Sequence, residues 1–162
     1  MRKILVISDT HGYLENYEKV IKSNKEADYI IHLGDVCGDE RYIISSVPYA
    51  VKVLRGNNDW NYDLADKVVF EMYGHKIFAT HGHKYGVYGS DVTRLVYAAL
   101  QEGCDIIMYG HTHVPVIDEG DEYTIINPGS LTYPRQSGRK PSYILMTMHD
   151  DGEVEYELKF VK

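Results

Sequence analysis

The sequence has few cysteines and a deficit of basic residues. Cys37 and Cys104 are the only two cysteines among 162 residues, and they lie far apart in no CxxC spacing. Neither a disulfide framework nor a cysteine-rich zinc site is indicated, so reduced, buried thiols are expected. Lysine and arginine number 17 against 24 acidic residues, which gives a formal net charge of −7. This excess of acidic residues argues against a protein that binds a polyanion through a broad basic face, although a metal ion can supply local positive charge.

The sequence also lacks long apolar runs. The N-terminal run Ile4–Ile7 is shorter than the core of a signal peptide, which has ~7 residues or more. No stretch approaches the ~18 apolar residues of a membrane-spanning helix. We therefore expect a cytoplasmic protein without a membrane partner. The chain is long enough for one hydrophobic core and too short for two ordinary domains, so a single domain over residues 1–162 is predicted.

Short apolar runs alternate with amphipathic segments in the first part of the chain. In the segment YLENYEKVIKSNK, apolar residues fall on one helical face and predict a helix. A shorter helix is predicted around ERYIISS. Strands that are buried on both faces, as in a parallel sheet, are predicted at KILVIS, DYIIHL and YAVKVL.

The rest of the chain continues this alternation. KVVFEMYGHKIFAT predicts two strands joined by a tight turn at Tyr73–His75. SDVTRLVYAALQEG predicts a helix with Ser90 as its N-cap and Gly103 as its stop. Further strands are predicted at DIIMYG, at EYTIIN and in a closing hairpin, SYILMTMHDDGEVEYELKF. The whole pattern predicts an α/β fold, a layered sandwich whose central mixed β-sheets are flanked by helices.

Residues that can bind metal follow five of the predicted strands. These residues are Asp9, His11, Asp35, Asn57, His81, His111 and His113. Ligands of open α/β sheets collect at the carboxyl ends of parallel strands, so these side chains are expected to converge in one crevice. In extended backbone, the D-x-H and H-x-H spacings place both side chains of each pair on the same side.

The ligand types limit the metals that fit. Imidazole and carboxylate without thiolate suit manganese, iron, nickel, zinc or magnesium, and do not single out one of them. Seven ligands are too many for one tetrahedral ion. Two ions that share a bridging carboxylate would use all of them, and such pairs, ~3.5 to 4 Å apart, characterise phosphoesterases and nucleases.

The ordered set of motifs resembles the calcineurin-like metallophosphoesterases. The motifs are Asp9-x-His11, Gly34-Asp35, Gly56-Asn57-Asn58-Asp59, Thr80-His81-Gly82-His83 and Gly110-His111-Thr112-His113. A further similarity, to small bacterial and archaeal phosphodiesterases of the YfcE type, lies in two later segments. These are INPGS, from Ile126 to Ser130, and the following Pro134-Arg135. The resemblance spans Ile4 to about Arg135, and it is the ordered set that is specific, because each motif alone is weak.

The resemblance implies a metallophosphoesterase-like fold and a phosphodiesterase with a dinuclear metal centre, in which a metal-bound hydroxide attacks phosphorus. Mn²⁺ is the first choice of metal, with Ni²⁺, Mg²⁺, Zn²⁺ and Fe as alternatives. The implied ligands of the first ion are Asp9, His11, Asp35 and His113. The implied ligands of the second ion are Asp35, Asn57, His81 and His111. Asp35 would bridge the two ions.

Asn58 departs from the resembled family, much of which has a histidine here that protonates the leaving alkoxide. An amide does not titrate, so it cannot replace a general acid, which typically contributes ~10²- to 10⁴-fold. Asn58 is still expected to bind a phosphoryl oxygen, and His83 to take part of the acid role. Arg135 is expected to bind a non-reacting phosphoryl oxygen. The favoured substrates are therefore diesters whose leaving group departs without help, such as aryl phosphodiesters.

Several of these features also have structural interpretations. RGNND and INPGS are turn sequences in their own right, and any one of the histidines alone fits a capping or core role. Asp59 is either a loop residue or one that orients its neighbours. Structural or solvated roles are expected for His32, His75 and His149.

Two other functions compete with a phosphodiesterase. One is a non-catalytic interaction scaffold of the retromer-subunit type, which is disfavoured because burying carboxylates and imidazoles without a cation is costly. The other is a nuclease of the same superfamily, which the acidic balance disfavours as it does any nucleic-acid partner. The expected partner is a small-molecule or nucleotide-like phosphodiester, and an exposed aromatic hairpin is compatible with a homo-oligomer.

Overall fold

The computed structural model describes residues Met1–Lys162, which form ten strands and three α-helices. The first half contains β1 (Arg2–Ile7), α1 (Glu15–Ser23), β2 (Tyr29–His32), α2 (Glu40–Ser45), β3 (Ala50–Val53), β4 (Lys67–Met72) and β5 (His75–Thr80). The second half contains a 3₁₀ turn (His83–Tyr85), α3 (Thr93–Gln101), β6 (Ile106–Met108), β7 (Pro115–Glu119), β8 (Thr124–Pro128), β9 (Ser142–Met148) and β10 (Val154–Phe160). No helix combines the length and the apolarity needed to span a membrane.

The strands form two five-stranded mixed sheets. The first has the order β10-β9-β1-β2-β3, with β1, β2 and β3 parallel and the β9–β10 hairpin antiparallel. The second has the order β4-β5-β6-β8-β7, with β5, β6 and β8 parallel and an antiparallel strand at each edge. The predicted α/β sandwich with a parallel centre and antiparallel flanks is therefore confirmed.

The hydrophobic core lies in three layers. The largest cluster joins the facing sides of the two sheets, and it includes Ile4 and Ile31 from the first sheet and Ile77 and Ile106 from the second. A second cluster packs α1 and α2 against the first sheet, and a third packs α3 against the second. The central strands are thus covered on both faces, which explains why their sequences are continuous apolar runs.

Helix α3 begins later than predicted, and the proposed Ser90 cap was wrong. Tyr88 and Asp91 form an isolated antiparallel bridge, which holds Ser90 in a turn before the helix. The carboxylate of Asp91 instead accepts a hydrogen bond from the Thr93 N–H at 3.1 Å. At the other end, Gly103 has a φ of +70° and its N–H donates to the carbonyl of Leu100, so the predicted stop is confirmed.

Strand β7 was not predicted. Its sequence PVIDE is half exposed and begins with proline, as suits an edge strand that pairs on one side only. The expectation of buried thiols holds for Cys104 but was wrong for Cys37, which is only partly buried. Cys37 lies in the loop after β2, where its Sγ is 3.9 Å from His11 Nδ1.

Candidate metal centre

Most of the candidate ligands lie on backbone in the left-handed region. The φ angles are 56° at Asp9, 49° at His11, 56° at Asp35, 68° at His111 and 60° at His113. Residues other than glycine rarely adopt such angles, and those that do are concentrated at functional sites. The expectation that both spacings act through extended backbone was wrong. The side chains converge because the chain turns sharply at the end of each strand.

Four of the candidate ligands form a compact cluster. One ligand atom from each of Asp9, His11, Asp35 and His113 lies within 4.8 Å of the others. Asp9 Oδ1 is 3.1 Å from His113 Nε2 and 3.6 Å from His11 Nε2, and Asp35 Oδ2 is also 3.6 Å from His11 Nε2. Asp9 Oδ1 is buried and has no hydrogen-bond partner. A buried carboxylate oxygen left unpaired is costly, and a cation at this position would remove that cost.

Hydrogen bonds orient two of the histidines toward these carboxylates. His113 Nδ1 lies 2.7 Å from the carbonyl oxygen of Tyr133, and His81 Nδ1 lies 2.8 Å from that of Leu33. A carbonyl only accepts hydrogen bonds, so each Nδ1 is inferred to carry the hydrogen. With the hydrogen on Nδ1, each ring can present the lone pair of its Nε2 to a cation, which is the arrangement of metal-binding histidines in general.

The other candidate ligands form a looser group beside the first. His81 Nε2 is 3.1 Å from Asn57 Oδ1 and 3.5 Å from Asp35 Oδ2. The ring centroid of His111 is 5.1 Å from that of His81, and the His111 N–H donates to Asp9 Oδ2 at 3.1 Å. Asp35 thus faces both groups, because its Oδ2 is near His11 on one side and His81 on the other.

The electrostatic environment keeps both aspartates ionised. Burial raises the pKa of Asp35, but His81 and the amide groups of Asn58 outweigh it and bring the pKa to about 2. Burial likewise opposes ionisation of Asp9, yet the neighbouring His81, His11 and His113 hold its pKa below the ordinary value. For His81, the two carboxylates outweigh burial and raise the pKa. Negative charge is thus concentrated between the imidazoles, which suits divalent cations.

Asp59 orients the loops that carry the ligands. Its two carboxylate oxygens accept hydrogen bonds from three backbone N–H groups, those of Asp35 at 2.8 Å, Cys37 at 2.7 Å and Gly56 at 2.7 Å. The orienting interpretation of Asp59 is therefore the one that the structure supports. The sequence RGNND is a turn, and that turn places Asn57 beside His81.

Other supporting residues were missed from sequence. Ser8 Oγ donates to Asp9 Oδ2 at 2.6 Å, and Ser130 Oγ donates to the carbonyl of Asp9 at 2.8 Å. Asn127 Nδ2 donates to the carbonyl of Gly110 at 2.9 Å and so braces the loop before His111. Polar residues at the end of a buried strand were the available signal, because Asn127 lies near the end of β8 and Ser130 follows that strand.

The three residues assigned to substrate or catalysis lie around the same centre. The Asn58 N–H donates to Asp35 Oδ1 at 2.8 Å and its side-chain amide donates to Asp35 Oδ2 at 2.7 Å. The ring centroid of His83 is 5.4 Å from that of His81, and His83 Nδ1 is buried without a partner. The Arg135 N–H donates to the carbonyl of His113 at 2.9 Å, and Arg135 lines a cavity of about 710 Å³ together with His111.

An α/β fold that gathers carboxylates and imidazoles where its parallel strands end is typical of metal-dependent hydrolases. Residues 2–151 match the family model of the calcineurin-like phosphoesterase superfamily domain. The chain therefore belongs to the calcineurin-like phosphoesterase superfamily.

Named relatives agree with this assignment. The chain is 34% identical over 149 residues to the probable metallophosphoesterase YsnB of Bacillus subtilis, with 91% of this chain and 85% of YsnB covered. It is 30% identical over 169 residues to the phosphodiesterase YfcE of Escherichia coli K12, with 88% and 86% covered.

Among solved structures, the chain resembles wild-type Vps29 from Entamoeba histolytica, whose crystal structure is described as a complex with Zn²⁺. The TM-score is 0.78 at 25% identity, and 99% of each chain is covered. A likeness of this extent is consistent with one shared layout of sheets and helices.

Proposed function

We propose that this protein is a metal-dependent phosphodiesterase with a dinuclear metal centre. The observation that carries the proposal is Asp9 Oδ1, a buried carboxylate oxygen that has no hydrogen-bond partner and faces the Nε2 atoms of His113 and His11. Membership of a phosphoesterase superfamily gives the reaction class, and the relative named a phosphodiesterase points to diesters as substrates.

In this proposal Asp35 would contribute a ligand to each of two divalent cations. The ligands of the first are Asp9, His11, Asp35 and His113, and those of the second are Asp35, Asn57, His81 and His111. Mn²⁺ is the first choice that the family resemblance implies, with Ni²⁺, Mg²⁺, Zn²⁺ and Fe as alternatives, because the ligand types do not single out one metal. When bound, cations of this kind supply an activated water molecule as nucleophile and neutralise charge on the phosphoryl oxygens.

The residues at the rim set the preference for substrate. Asn58 cannot supply a proton, and in the structure both its amide groups are directed at Asp35. Burial lowers the pKa of His83, as do the neighbouring His81 and His111, so its ring is neutral at pH 7 and a poor proton donor. Neither residue offers strong help to a basic leaving group, which favours aryl phosphodiesters. We assign Arg135 to binding a non-reacting phosphoryl oxygen.

The test replaces the candidate bridging carboxylate. Asp35→Ala is expected to lower kcat for bis(4-nitrophenyl) phosphate with Mn²⁺ by at least ~10²-fold, the scale of losing a group that stabilises the transition state. The same protein should hold fewer metal ions by elemental analysis. Asp121→Ala removes an exposed aspartate and is the matched control. Undiminished hydrolysis by Asp35→Ala would remove the enzyme hypothesis.

The scaffold alternative has less support. A non-catalytic protein has no need for a buried, unpaired Asp9 oxygen, and the Vps29 that the chain resembles is itself described with bound zinc. The length of the substrates that are hydrolysed distinguishes the nuclease alternative from the proposed phosphodiesterase. We expect hydrolysis of small diesters without hydrolysis of long single- or double-stranded DNA, because the chain carries a net charge of −7 and would repel a long polyanion.

A further inference from the structure

A cavity of about 470 Å³ lies in the loop that follows β8, beside the candidate metal centre. It is lined by Thr132, Tyr133, Pro134, Arg135 and Arg139. Two guanidinium groups therefore face one small cavity in a protein whose formal net charge is −7. A guanidinium is charged at every physiological pH, so the cavity has a lasting positive potential.

Neither arginine is neutralised by the protein itself. Arg2 and Arg55 form ion pairs with Asp28 and Asp66, whereas no carboxylate lies within 4.0 Å of the side-chain nitrogens of Arg135 or Arg139. Arg41 and Arg94, in α2 and α3, are also unpaired, but neither lines this cavity. Two arginines without a protein counter-ion thus line one cavity, and an anion bound there would neutralise their charge.

A tight turn directs Arg139 to the same cavity as Arg135. The N–H of Arg139 donates to the carbonyl of Gln136 at 3.0 Å, and Gln136 Nε2 donates to the carbonyl of Lys140 at 2.6 Å. Arg139 has a φ of +43°, in the left-handed region, directly after Gly138 with +79°. The turn thus reverses the chain and holds its arginine in place despite an unfavourable backbone angle.

The loop is fixed to the metal centre by hydrogen bonds. The carbonyl of Tyr133 accepts from His113 Nδ1, and the N–H of Arg135 donates to the carbonyl of the same His113. Thr132 Oγ1 donates to the carbonyl of Thr10 at 2.8 Å, next to Asp9. The position of the cavity relative to the candidate ligands is therefore set by the fold.

An exposed aromatic ring of this loop, Tyr133, packs against Tyr13 from the loop after β1. The ring centroid of Tyr133 is 5.2 Å from that of His11 and 5.9 Å from that of Tyr13, and both tyrosines are about half exposed, at 48% and 58%. Exposed tyrosine faces are platforms on which a nucleobase can stack. A base stacked on Tyr133 would lie close to His11 and beside the cavity that the two arginines line.

We propose that Arg135, Arg139 and Tyr133 form a subsite for a second phosphate group on a nucleotide-type diester. Arg135 lines both this cavity and the one that His111 lines, so its several N–H donors can contact the second phosphate as well as a non-reacting oxygen of the scissile group. The inference rests on the proposed phosphodiesterase function and adds the substrate class: a nucleotide whose scissile diester binds at the metal centre while a separate phosphate binds the arginine pair. Small dinucleotides with a terminal phosphate have this chemistry. A net negative protein can bind such a compact dianion through one local site without binding long polymers.

The kinetic test uses two chromogenic substrates that differ by one phosphate, thymidine 3′-(4-nitrophenyl phosphate) with and without a 5′-phosphate. The wild-type protein with Mn²⁺ is expected to show about tenfold higher kcat/KM for the 5′-phosphorylated form, the scale of one charge-assisted contact. Arg139→Ala should bring this ratio to about 1, and Arg139→Lys should retain part of it. Arg41→Ala, another unpaired arginine, should leave the ratio unchanged. A wild-type ratio of 1, or a ratio that Arg139→Ala does not alter, overturns the subsite.

A binding measurement separates the subsite from catalysis. By calorimetry on the Mn²⁺-loaded protein, thymidine 3′,5′-bisphosphate is expected to bind about tenfold more tightly than thymidine 3′-monophosphate, and Arg139→Ala should abolish the difference. If neither chromogenic substrate is hydrolysed but this difference remains, the phosphodiesterase proposal fails and the subsite stands. If both substrates are hydrolysed equally and both nucleotides bind equally, the subsite fails and the phosphodiesterase proposal stands.

Discussion

At the scale of single residues, the centre depends on backbone angles that most side chains avoid. Asp9, His11, Asp35, His111 and His113 each hold a positive φ, at a cost of about 1–3 kcal/mol per residue in general. Contacts from neighbouring residues hold these angles, as when Asp59 accepts the N–H groups on both sides of the Asp35 loop. The candidate ligands are thus already held in position by the fold, which would reduce the ordering that cation binding requires.

Gly56 provides a residue-scale prediction, because a Cβ at this position would lie 2.1 Å from Asp35 Oδ1 and 2.4 Å from Asp35 N. Gly56→Ala is expected to displace Asp35 and weaken Mn²⁺ binding by ~10- to 100-fold, as measured by calorimetry. Gly120→Ala is the control, because its nearest neighbour is the carbonyl oxygen of Tyr123 at 3.1 Å, far from the centre. Equal Mn²⁺ affinity in both variants would contradict the role of Asp35.

Asn58 provides a second prediction at this scale. Asn58→His introduces a group that can protonate a leaving oxygen, so kcat should rise by ~10-fold or more on alkyl phosphodiesters and less on aryl ones. The measurement compares methyl 4-nitrophenyl phosphate with a dialkyl diester such as a dinucleoside monophosphate. An equal change on both substrates would show that Asn58 acts through Asp35 alone, to which both its amide groups donate.

At the scale of elements, the candidate ligands follow the ends of the strands, and polar residues of the strands stabilise the loops that carry these ligands. His32 ends β2 and is fully buried. Its Nδ1 accepts the N–H of Gly34 at 3.1 Å, so its Nε2 is the nitrogen that donates to Thr10 Oγ1 at 2.9 Å. The ring therefore connects the loop before Asp35 to the loop after Asp9, which agrees with the structural role expected for it.

His32 makes stability depend on pH. Burial lowers its pKa to about 4, against an ordinary value of 6.5. Between these values the unfolded chain binds a proton that the folded chain excludes, so the free energy of unfolding falls as pH falls through this window. From pH 7 to pH 5 in chelator, urea unfolding should show a loss roughly 1–2 kcal/mol larger in the wild type than in His32→Gln. Other titrating groups are common to both proteins and cancel, so an equal loss would contradict this account.

At the scale of the whole molecule, the candidate metal centre spans both sheets. Asp9, His11 and Asp35 follow strands of the first sheet, whereas His81, His111 and His113 follow strands of the second. The largest core cluster holds the sheets face to face. A cation that binds residues from both sheets should therefore stabilise the packing between them, since binding to the folded state alone raises stability.

This coupling predicts a thermal shift. Addition of Mn²⁺ at 100 times its Kd to chelator-treated protein should raise the free energy of unfolding by ~2.7 kcal/mol, with a corresponding rise in Tm. Asp35→Ala should show a smaller rise, because both groups of ligands lose a member. If scanning calorimetry gives the same Tm with and without metal in the wild type, the centre does not bind cations between the sheets.

The sequence by itself determined the elements and the candidate ligands of this protein. Continuous apolar runs and amphipathic spacing are local properties of a sequence. The central strands, the helices and the closing hairpin could therefore be predicted from the sequence. The seven candidate ligands were visible for the same reason, because each follows an apolar run. Edge strand β7 and the start of α3 were not predicted, since pairing on one side and the Tyr88–Asp91 bridge depend on neighbours.

Only the tertiary structure decided how those residues meet. Contacts between segments far apart in the chain produce three features of the site. These features are the left-handed angles at Asp9 and His111, the three N–H groups that donate to Asp59 and the unpaired Asp9 oxygen. The same is true of the arginine pair, since the hydrogen bonds that join Tyr133 and Arg135 to His113 fix the loop whose cavity Arg135 and Arg139 line. Sequence patterns report local periodicity, whereas a site is made by long-range packing, which has no local signature.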